Sequence, residues 1–254
     1  MPKEPAPDAR TAQAFAEREL VKAMRLLAAS PNGRHMRRFI LHLNRKAQLP
    51  EEHYLIANFA MSQNRPDLAV AAAKQSLRRG VFLLADAYPL SYLPANRNGL
   101  EPELLLSLLR QESAFEVGAV SYAGARGLMQ LMPATARRVA RRLRLPYSKH
   151  RLLNDPEFNL TIGTAFLNGL INHYRGSYVL ALAAYNAGPA RVKRWIRNNG
   201  DPRDSEIDVI DWIEMIPFEE TRDYVQRVLE NVQMYRLRTG KTNPGVGLES
   251  DLNR

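Results

Sequence analysis

Apolar residues recur at helical spacing along most of the chain, and no stretch alternates apolar and polar residues as a half-buried strand does. In the first 80 residues the pattern predicts four helices that pair into two αα-hairpins. The first helix runs from about residue 11 to the S-P-N-G turn at 30–33. The other three cover about residues 35–48, 51–63 and 66–80. The small residues of the second hairpin, and the proline that starts its second helix, are typical of a tetratricopeptide-like unit.

Two such hairpins bury little surface by themselves, so we expect residues 1–80 to form a helical-repeat scaffold that leans on a larger domain. Residues 81–99 contain several tyrosines and prolines and an Asn-Gly pair, which predicts a connecting segment. The larger domain is predicted at residues 100–240. The last residues, 241–254, are predicted to be a flexible tail.

Helix signals are equally clear in this larger domain. Pro102 and Pro133 each suit the first turn of a helix, and Asp155 is a typical N-cap for a long helix. A short apolar helix leads to the A-Y-N-A-G turn at 184–188, and a long closing helix is predicted to end near Arg238. The expected fold class is therefore all-α.

Glu112 is the first candidate for chemistry, because it ends a strongly apolar helix. Leucines cover most of the circumference of this helix, at positions 104, 105, 106, 108 and 109. Such a helix must be buried, and a carboxylate at its inner end loses hydration, which raises its pKa towards the range of a general acid. The alternative is that Glu112 faces water beside Arg110, as charged residues at helix ends usually do.

A glycine-rich stretch follows Glu112. Gly118, Gly124 and Gly127 are separated by small residues, which favours a tightly folded loop whose backbone approaches a ligand over an ordinary surface connection. Gln130 lies between two apolar neighbours, and a buried amide needs hydrogen-bond partners. The pattern predicts a site around Glu112.

The motif E-S-x-F-(x)5-S-(x)2-G-A-x-G-L-M-Q-L-M-P-x-T-A at 112–136 resembles the signature of the soluble lytic transglycosylases, which cleave murein. Two further motifs of that family follow in the same order, A-Y-N-A-G at 184–188 and E-x-I-P-F-x-E-T-R-x-Y-V at 214–225. Three ordered motifs are far more specific than any one of them. One departure is Val117, where the family commonly has a proline.

The resemblance implies a lysozyme-like catalytic domain of the goose type, preceded here by tetratricopeptide-like hairpins, with the chain as the C-terminal part of a longer family member. It also implies that Glu112 is the catalytic residue. The residues implied to hold glycan and peptide are Ser121, Gln130, Met132, Tyr185, Asn186 and Glu214. Trp195 and Trp212 have two interpretations, stacking on sugar rings or packing in the core.

Glycosidases usually employ two carboxylates, and the signature offers one. The resemblance implies that Glu112 acts first as acid and then as base, while the N-acetyl group of the substrate stabilises the cationic centre. This route cleaves the β-1,4 bond between MurNAc and GlcNAc in peptidoglycan and leaves 1,6-anhydro-MurNAc. Two alternatives stay open: a hydrolytic lysozyme of the same fold, and a non-catalytic cell-wall-binding module.

The formal net charge of +10 predicts an anionic partner, and five arginines between positions 137 and 144 lie on one side of a predicted helix. No nucleic-acid-binding signature accompanies them, so nucleic acid is not an expected partner. The resemblance implies that the partner is the glycan strand of peptidoglycan. The chain has no cysteine, and His173 has no second ligand at metal spacing. We therefore expect no metal site and no cofactor.

The N-terminal residues lack the apolar core of a signal peptide, and no segment approaches the roughly 20 apolar residues of a membrane span. Since the resemblance implies a periplasmic substrate, we expect the sequence to be a mature form or a fragment of a longer secreted precursor, or to be exported by an unusual route. A periplasmic monomer with peripheral association to the cell envelope is the expected state.

Overall fold

The computed structural model describes residues 4–29, 35–93, 99–241 and 247–254, and helices are the only regular elements in these ranges. The chain forms two compact units, Met1–Ser91 and Tyr92–Arg254. The prediction of an all-α fold is thereby confirmed. None of the described helices is both long enough and apolar enough to cross a lipid bilayer.

In the described residues of the N-terminal unit there are six helices. They are α1 Ala9–Ala16, α2 Glu19–Ala29, α3 Met36–Lys46, α4 Pro50–Ser62, α5 Pro66–Leu77 and α6 Leu84–Ala87. Helix α5 packs against α3, α4 and α6, and the apolar core between them includes Ile40, Ile56 and Leu68, each of which is fully buried. The paired helices correspond to the hairpins predicted from the sequence.

The first predicted helix is in fact two helices, α1 and α2, with a turn at residues 17–18. Phe15 and Val21 are both buried in the core of this unit. On an uninterrupted helix, residues six positions apart point to different faces, so the turn lets both side chains reach the same core. Arg18 lies in the turn and pairs with the buried carboxylate of Glu52. The predicted end of this segment, at 30–33, lies outside the described residues.

The part of the C-terminal unit that the structure describes contains nine helices. They are α7 Pro102–Glu112, α8 Pro133–Arg142, α9 Arg151–Asn154, α10 Pro156–His173, α11 Tyr178–Ala187, α12 Pro189–Asn199, α13 Val209–Glu214, α14 Glu219–Thr239 and α15 Leu248–Leu252. Helix α11 is central and packs against α10, α12 and α14. Its residues from Tyr178 to Ala184 are all buried, because a helix that is apolar on every side must be enclosed.

Helix α7 packs along α14, and this pairing positions the candidate catalytic carboxylate. The leucines that the sequence predicted to be buried are at most 1% exposed at positions 104, 105, 106, 108 and 109. Helix α7 begins at Pro102 and ends at Glu112. The predicted burial of this helix is thus correct, and its C-terminal end delivers Glu112 to the interior of the unit.

The segments predicted to be irregular contain two short helices. Helix α6 lies within the predicted connecting segment 81–99, of which residues 94–98 lie outside the described ranges. Helix α15 lies within the predicted flexible tail 241–254, of which residues 242–246 lie outside them. Asp251 of α15 is fully buried and forms an ion pair with Arg236 of α14, which is why this part of the tail is helical and packed.

Candidate active site

Glu112 lies at the C-terminal end of α7, where the helix stops and the chain reverses direction. Ala114 and Phe115 both have positive φ angles, 48° and 69°, in the region that side chains disfavour. The buried ring of Phe115 anchors this reversal, and the hydroxyl group of Ser113 accepts a hydrogen bond from the Phe115 amide. The carboxyl group of Glu112 is thereby held at the junction of helix and loop.

The Glu112 carboxyl group is packed among protein atoms but retains some accessible surface. Burial raises its pKa to about 8, because an ionised carboxylate loses hydration there. The hydroxyl group of Tyr224 donates a hydrogen bond to Glu112 Oε1 at 2.6 Å, which acts in the opposite direction and lowers the pKa. The negative charge of Glu220 raises it slightly further. The net result is the elevated pKa that the sequence predicted for a general acid.

The loop at 113–132 is folded back on itself by short backbone contacts. Arg126 forms isolated β-bridges with Val120 and with Leu131, and the amide of Gly127 donates to the carbonyl of Ala119 at 2.9 Å. Ser121 accepts a hydrogen bond from the backbone N–H of residue 125 through its hydroxyl group. The glycine-rich stretch therefore forms the tightly folded loop that was predicted.

Asn159 of α10 attaches this loop to the body of the unit. Its side-chain oxygen accepts from the amide of Met129 at 2.9 Å, and its nitrogen donates to the carbonyls of Arg126 and Leu152. Gly127 is required at this point, because a Cβ there would lie 2.1 Å from the carbonyl oxygen of Leu152 and 2.2 Å from Asn159 Nδ2. A buried asparagine with three backbone partners thus determines the path of the loop.

Gln130 has the polar partners that its apolar neighbours led us to expect. Its backbone adopts a positive φ of 43°. Its side-chain nitrogen donates hydrogen bonds to the carbonyls of Gly127 at 2.8 Å and Ala119 at 3.2 Å. The preceding residue, Met129, is buried, and its carbonyl accepts a hydrogen bond from the hydroxyl of Tyr185 at 2.7 Å. The first and second family motifs are therefore joined by a direct hydrogen bond.

The A-Y-N-A-G motif ends α11 and contributes two side chains to the same region. Burial raises the pKa of the Tyr185 hydroxyl well above its ordinary value, and the nearby charge of Glu112 adds to this effect. Asn186 accepts a hydrogen bond from the hydroxyl of Thr221 at 2.6 Å. Since Thr221 belongs to the third motif, the second and third motifs are also in direct contact.

A groove of about 270 Å³ brings several of the predicted residues together. Four of the six candidates for substrate binding line it, namely Gln130, Met132, Tyr185 and Asn186. Met132 is 43% exposed, as a residue that contacts a ligand can be. Phe166 also lines the groove and packs against the Tyr185 ring at a centroid distance of 5.2 Å.

Ser121 and Glu214 do not line this groove. Ser121 is exposed on the folded loop. Glu214 is exposed at the end of α13, where it accepts a hydrogen bond from Gln226 at 2.7 Å and forms an ion pair with Arg222 at 3.7 Å. Their assignment to substrate binding stays a prediction.

Two residues of the site were missed at the sequence level, Tyr224 and Thr221. Both lie in the third motif and recur at helical spacing with Val225 and Val228 on the buried stripe of α14. Hydroxyl groups on a buried stripe need partners, and this is the signal that would have identified them.

Of the two interpretations of the tryptophans, stacking on sugar rings or packing in the core, the structure supports packing in the core. Trp195 is 5% exposed and Trp212 is fully buried, and the indole nitrogen of Trp212 donates to the carbonyl of Gly200 at 3.0 Å. Both rings therefore belong to the core. In the described part of the chain, no group of three or more His, Cys, Asp or Glu side chains is arranged to hold a metal ion.

Sequence comparison identifies two matching families. Residues 91–207 match the family described as "Transglycosylase SLT domain", and residues 215–244 match the "Soluble lytic transglycosylase helical domain". The second match lies at α14 and not at the N-terminal hairpins. The assignment of residues 1–80 to a remnant of the family's superhelix therefore stays a prediction.

The soluble lytic murein transglycosylase of Escherichia coli is 35% identical over 199 residues, which cover 75% of this chain and 30% of that protein. Among solved structures, an inactive mutant of the lytic transglycosylase Slt from Pseudomonas aeruginosa has a TM-score of 0.77 at 30% identity, covering 95% of this chain and 39% of that one. The 70 kDa soluble lytic transglycosylase of Escherichia coli also has a TM-score of 0.77, at 31% identity, covering 92% and 38% of the two chains.

The chain thus spans about a third of the length of these relatives. Within that span all three motifs are present, and direct hydrogen bonds join the first to the second, the second to the third, and Tyr224 of the third to Glu112 of the first. The agreement of sequence, fold and motif geometry leads to one assignment. The chain belongs to the soluble lytic transglycosylase family.

Proposed function

We propose that this chain is a peptidoglycan lytic transglycosylase in which Glu112 is the single acid and base. The observation that carries the proposal is the Glu112 carboxyl group itself, with its pKa near 8, its hydrogen bond to Tyr224, and its place at the centre of three family motifs. The bond to be cleaved is the β-1,4 linkage between MurNAc and GlcNAc. The product is a 1,6-anhydro-MurNAc end.

The first step uses Glu112 as an acid. With a pKa of about 8, the carboxyl group is mostly protonated at neutral pH and can give its proton to the glycosidic oxygen as the bond breaks. The N-acetyl group of the substrate stabilises the positive charge that develops on the sugar. Such participation makes a second carboxylate unnecessary.

The second step uses Glu112 as a base. The carboxylate left by the first step accepts the hydrogen bond of Tyr224, which holds it in place. A carboxylate whose conjugate acid has a raised pKa is a stronger base than an ordinary one, so it can remove the proton of the sugar 6-hydroxyl. That hydroxyl then closes the anhydro ring in place of water.

Substrate binding is proposed for the residues named by the motif match. Gln130, Met132, Tyr185 and Asn186 share the groove, and Asn186 is held through its side-chain oxygen by Thr221. Aromatic and amide side chains in a concave site suit a sugar polymer. Ser121 and Glu214 are assigned on their motif positions alone.

The substrate places the proposed site of action in the periplasm, where we expect the protein to act as a monomer, with peripheral association to the envelope. The positive net charge of the chain favours approach to a polymer that carries carboxylates.

The proposal is tested by incubating purified peptidoglycan with the protein and analysing the soluble products by mass spectrometry. We expect muropeptides that are lighter by one water than the hydrolysed species. Glu112→Gln should abolish them, because an amide can neither give nor accept the proton. Glu116→Gln is the matched control, since Glu116 is an exposed carboxylate just beyond the helix, and it should leave the products unchanged.

Two other outcomes would change the assignment. Products with reducing ends would make the protein a hydrolytic lysozyme. Retention on peptidoglycan by folded protein, with no products at all, would support a binding module.

A further inference from the structure

An open groove lies on the surface of the N-terminal unit, where α2, α3 and α5 meet. Its volume is about 570 Å³. It is lined by Leu20 of α2, by Gln75 of α5 and by five residues of α3 between Arg38 and Arg45. This surface is called the α3 groove below.

The α3 groove runs along the helix that gives it its name. Its lining residues on α3 are at positions 38, 39, 41, 42 and 45, so most of them are three or four positions apart and share one face. They extend over two turns, which is about 10 Å of α-helix. A wall of this shape suits a second helix laid along the first, because the side chains of two helices interlock as ridges and grooves.

Most of the surface inside the α3 groove is apolar. Leu20 is 39% exposed, and Phe39 and Leu41 are half-buried. Covering such a surface is favourable, because apolar area removed from water contributes roughly 25 cal/mol per Å². The interior of the groove therefore suits an apolar face of a ligand.

Hydrogen-bond donors lie at the edges of the α3 groove. Arg38 and Arg45 are exposed, and neither guanidinium group forms an ion pair with a residue that the structure describes. Gln75 accepts a hydrogen bond from Asn44 through its side-chain oxygen at 3.0 Å, which leaves its amide nitrogen to donate to a ligand. Charged donors bond most strongly to ionised acceptors, so these edges suit carboxylates.

The chain around the α3 groove is strongly cationic. Residues 20–50 contain seven Lys and Arg residues and no Asp or Glu. No acidic residue lines the groove itself. Clustered positive charge attracts an acidic ligand and repels a basic one, which gives the surface a preference among partners.

We propose that the α3 groove is a docking site for an acidic amphipathic α-helix of a partner protein. The apolar face of that helix would cover Leu20, Phe39 and Leu41, and carboxylates along its edges would pair with Arg38 and Arg45. Amphipathic helices bind hydrophobic grooves in this manner. The concave shape favours a helix over a lipid membrane, because a planar bilayer cannot enter a groove. This inference goes beyond the proposed function and does not depend on it.

The test uses two fluorescently labelled synthetic peptides and the full chain. The first peptide has about 18 residues, with leucines at i, i+3, i+4 and i+7 and glutamates on either side of them. The second has the same composition, but its leucines are distributed around the helix. Fluorescence anisotropy gives a dissociation constant for each peptide, and the ratio of the two constants is the readout. We expect the first peptide to bind at least about tenfold more tightly, the effect of burying one leucine.

Arg45→Glu should reduce this ratio about fivefold, the size of an exposed charge interaction. Arg37→Glu is the matched control, because Arg37 is exposed on the same helix, changes the net charge by the same amount and does not line the groove. It should weaken the binding of both peptides equally and leave the ratio unchanged.

Leu20→Gln tests the apolar contact and should also reduce the ratio about fivefold, since Leu20 would be covered by the bound helix. Leu26→Gln is its control, because Leu26 is 75% exposed on the same helix and does not line the groove.

The inference is overturned if neither peptide binds, if both bind equally, or if the control variants reduce the ratio as much as the groove variants do. Vesicles that contain phosphatidylglycerol are tested in parallel. Binding of vesicles that Arg45→Glu abolishes, without a preference between the peptides, would assign the groove to lipid. Self-association in sedimentation velocity that Arg45→Glu abolishes would assign it to a second copy of the chain, and both outcomes would replace the partner helix. All readouts are binding measurements, so the cleavage of peptidoglycan is tested separately.

Discussion

At the scale of single residues, the proposed chemistry depends on the surroundings of one carboxyl group. Burial at the end of α7 raises the pKa of Glu112 to about 8, and the hydrogen bond from Tyr224 limits this rise. In the proposed mechanism, these two opposing effects suit one group to both proton donation and proton removal.

Removal of the Tyr224 hydroxyl should disturb this balance. In Tyr224→Phe the pKa of Glu112 should rise above its value near 8, because the bond that stabilises the carboxylate is lost. Acid catalysis requires protonated Glu112, so activity is lost as the pH rises through this pKa, and the alkaline limb of the kcat/KM profile should move to higher pH. We expect kcat at neutral pH to fall about tenfold, the effect of losing one hydrogen bond to a charged group.

A pH profile of the variant checks this prediction. A fall in kcat without any movement of the alkaline limb would mean that Tyr224 only supports the fold.

Glu112 should also make stability depend on pH. Between pH 4.5 and about 8 the folded protein holds a proton on Glu112 that the unfolded chain has lost, so the free energy of unfolding falls as the pH rises. The glutamine side chain of Glu112→Gln does not titrate, so this variant does not lose stability in this way as the pH rises. The variant should match the unmodified protein near pH 4 and exceed it by roughly 1–3 kcal/mol at pH 8.

Denaturant unfolding at several pH values, followed by tryptophan fluorescence, measures the difference. Both tryptophans lie in the C-terminal unit, so the signal reports on the unit that contains Glu112. If the difference in stability between Glu112→Gln and the unmodified protein does not change with pH, the folded structure does not raise the pKa of Glu112.

At the scale of elements, α10 determines where the loop at 113–132 lies. Asn159 bonds to three backbone groups around the loop, and Gly163, one turn later, allows Met129 to pack directly on the helix. Both residues therefore act structurally, Asn159 through its hydrogen bonds and Gly163 by leaving room for the Met129 side chain. The carbonyl of Met129 accepts the hydrogen bond of Tyr185, which lines the groove. The packing of Met129 on α10 therefore helps to position Tyr185.

Gly163→Ala should therefore impair both stability and activity. The added Cβ would lie 2.1 Å from Met129 Sδ and 2.9 Å from its Cβ, and the buried Met129 side chain has no room to move away. We expect a destabilisation of about 1–3 kcal/mol and a lower cleavage rate.

Gly169→Ala is the matched control on the same helix. Its added Cβ would meet only the flexible end of Arg142, at 3.3 Å. Since alanine favours helix over glycine, this variant should be neutral or more stable by up to about 1 kcal/mol. Equal effects of the two substitutions in denaturant unfolding would contradict this account of the loop.

At the scale of the whole molecule, a cluster of buried charges joins distant parts of the C-terminal unit. Arg236 of α14 bonds to Glu101 at 2.7 and 2.9 Å, just before α7, and to Asp251 of α15 at 2.5 and 2.9 Å. Its side chain is 2% exposed. One guanidinium group thus connects α14, α15 and the residue that precedes α7.

Arg236→Ala should destabilise the C-terminal unit by about 3 kcal/mol, because the fully buried Asp251 and the partly buried Glu101 would lose the guanidinium group that bonds to both. Arg227→Ala on the same helix is the control, since Arg227 and its partner Glu230 are 67% and 59% exposed, and an exposed pair contributes at most about 1 kcal/mol. Denaturant unfolding followed by tryptophan fluorescence measures both. Similar losses in the two variants would show that the cluster is not a stabilising centre.

The sequence by itself determined the helical fold and the burial of α7. These follow from local rules, since the spacing of leucines and the placement of proline and glycine act within a few residues along the chain. Four of the proposed substrate-binding residues also share one groove, as their motif positions implied.

Only the tertiary structure decided which side chains meet Glu112 and which parts of the chain are packed. The hydrogen bond of Tyr224 to Glu112 spans 112 residues, and that of Arg236 to Glu101 spans 135. The break between α1 and α2 and the packing of α15 likewise depend on partners elsewhere in the chain, Glu52 for the first and Arg236 for the second. Helical periodicity carries no information about such partners, because it records which face of a helix is buried and not what that face is buried against.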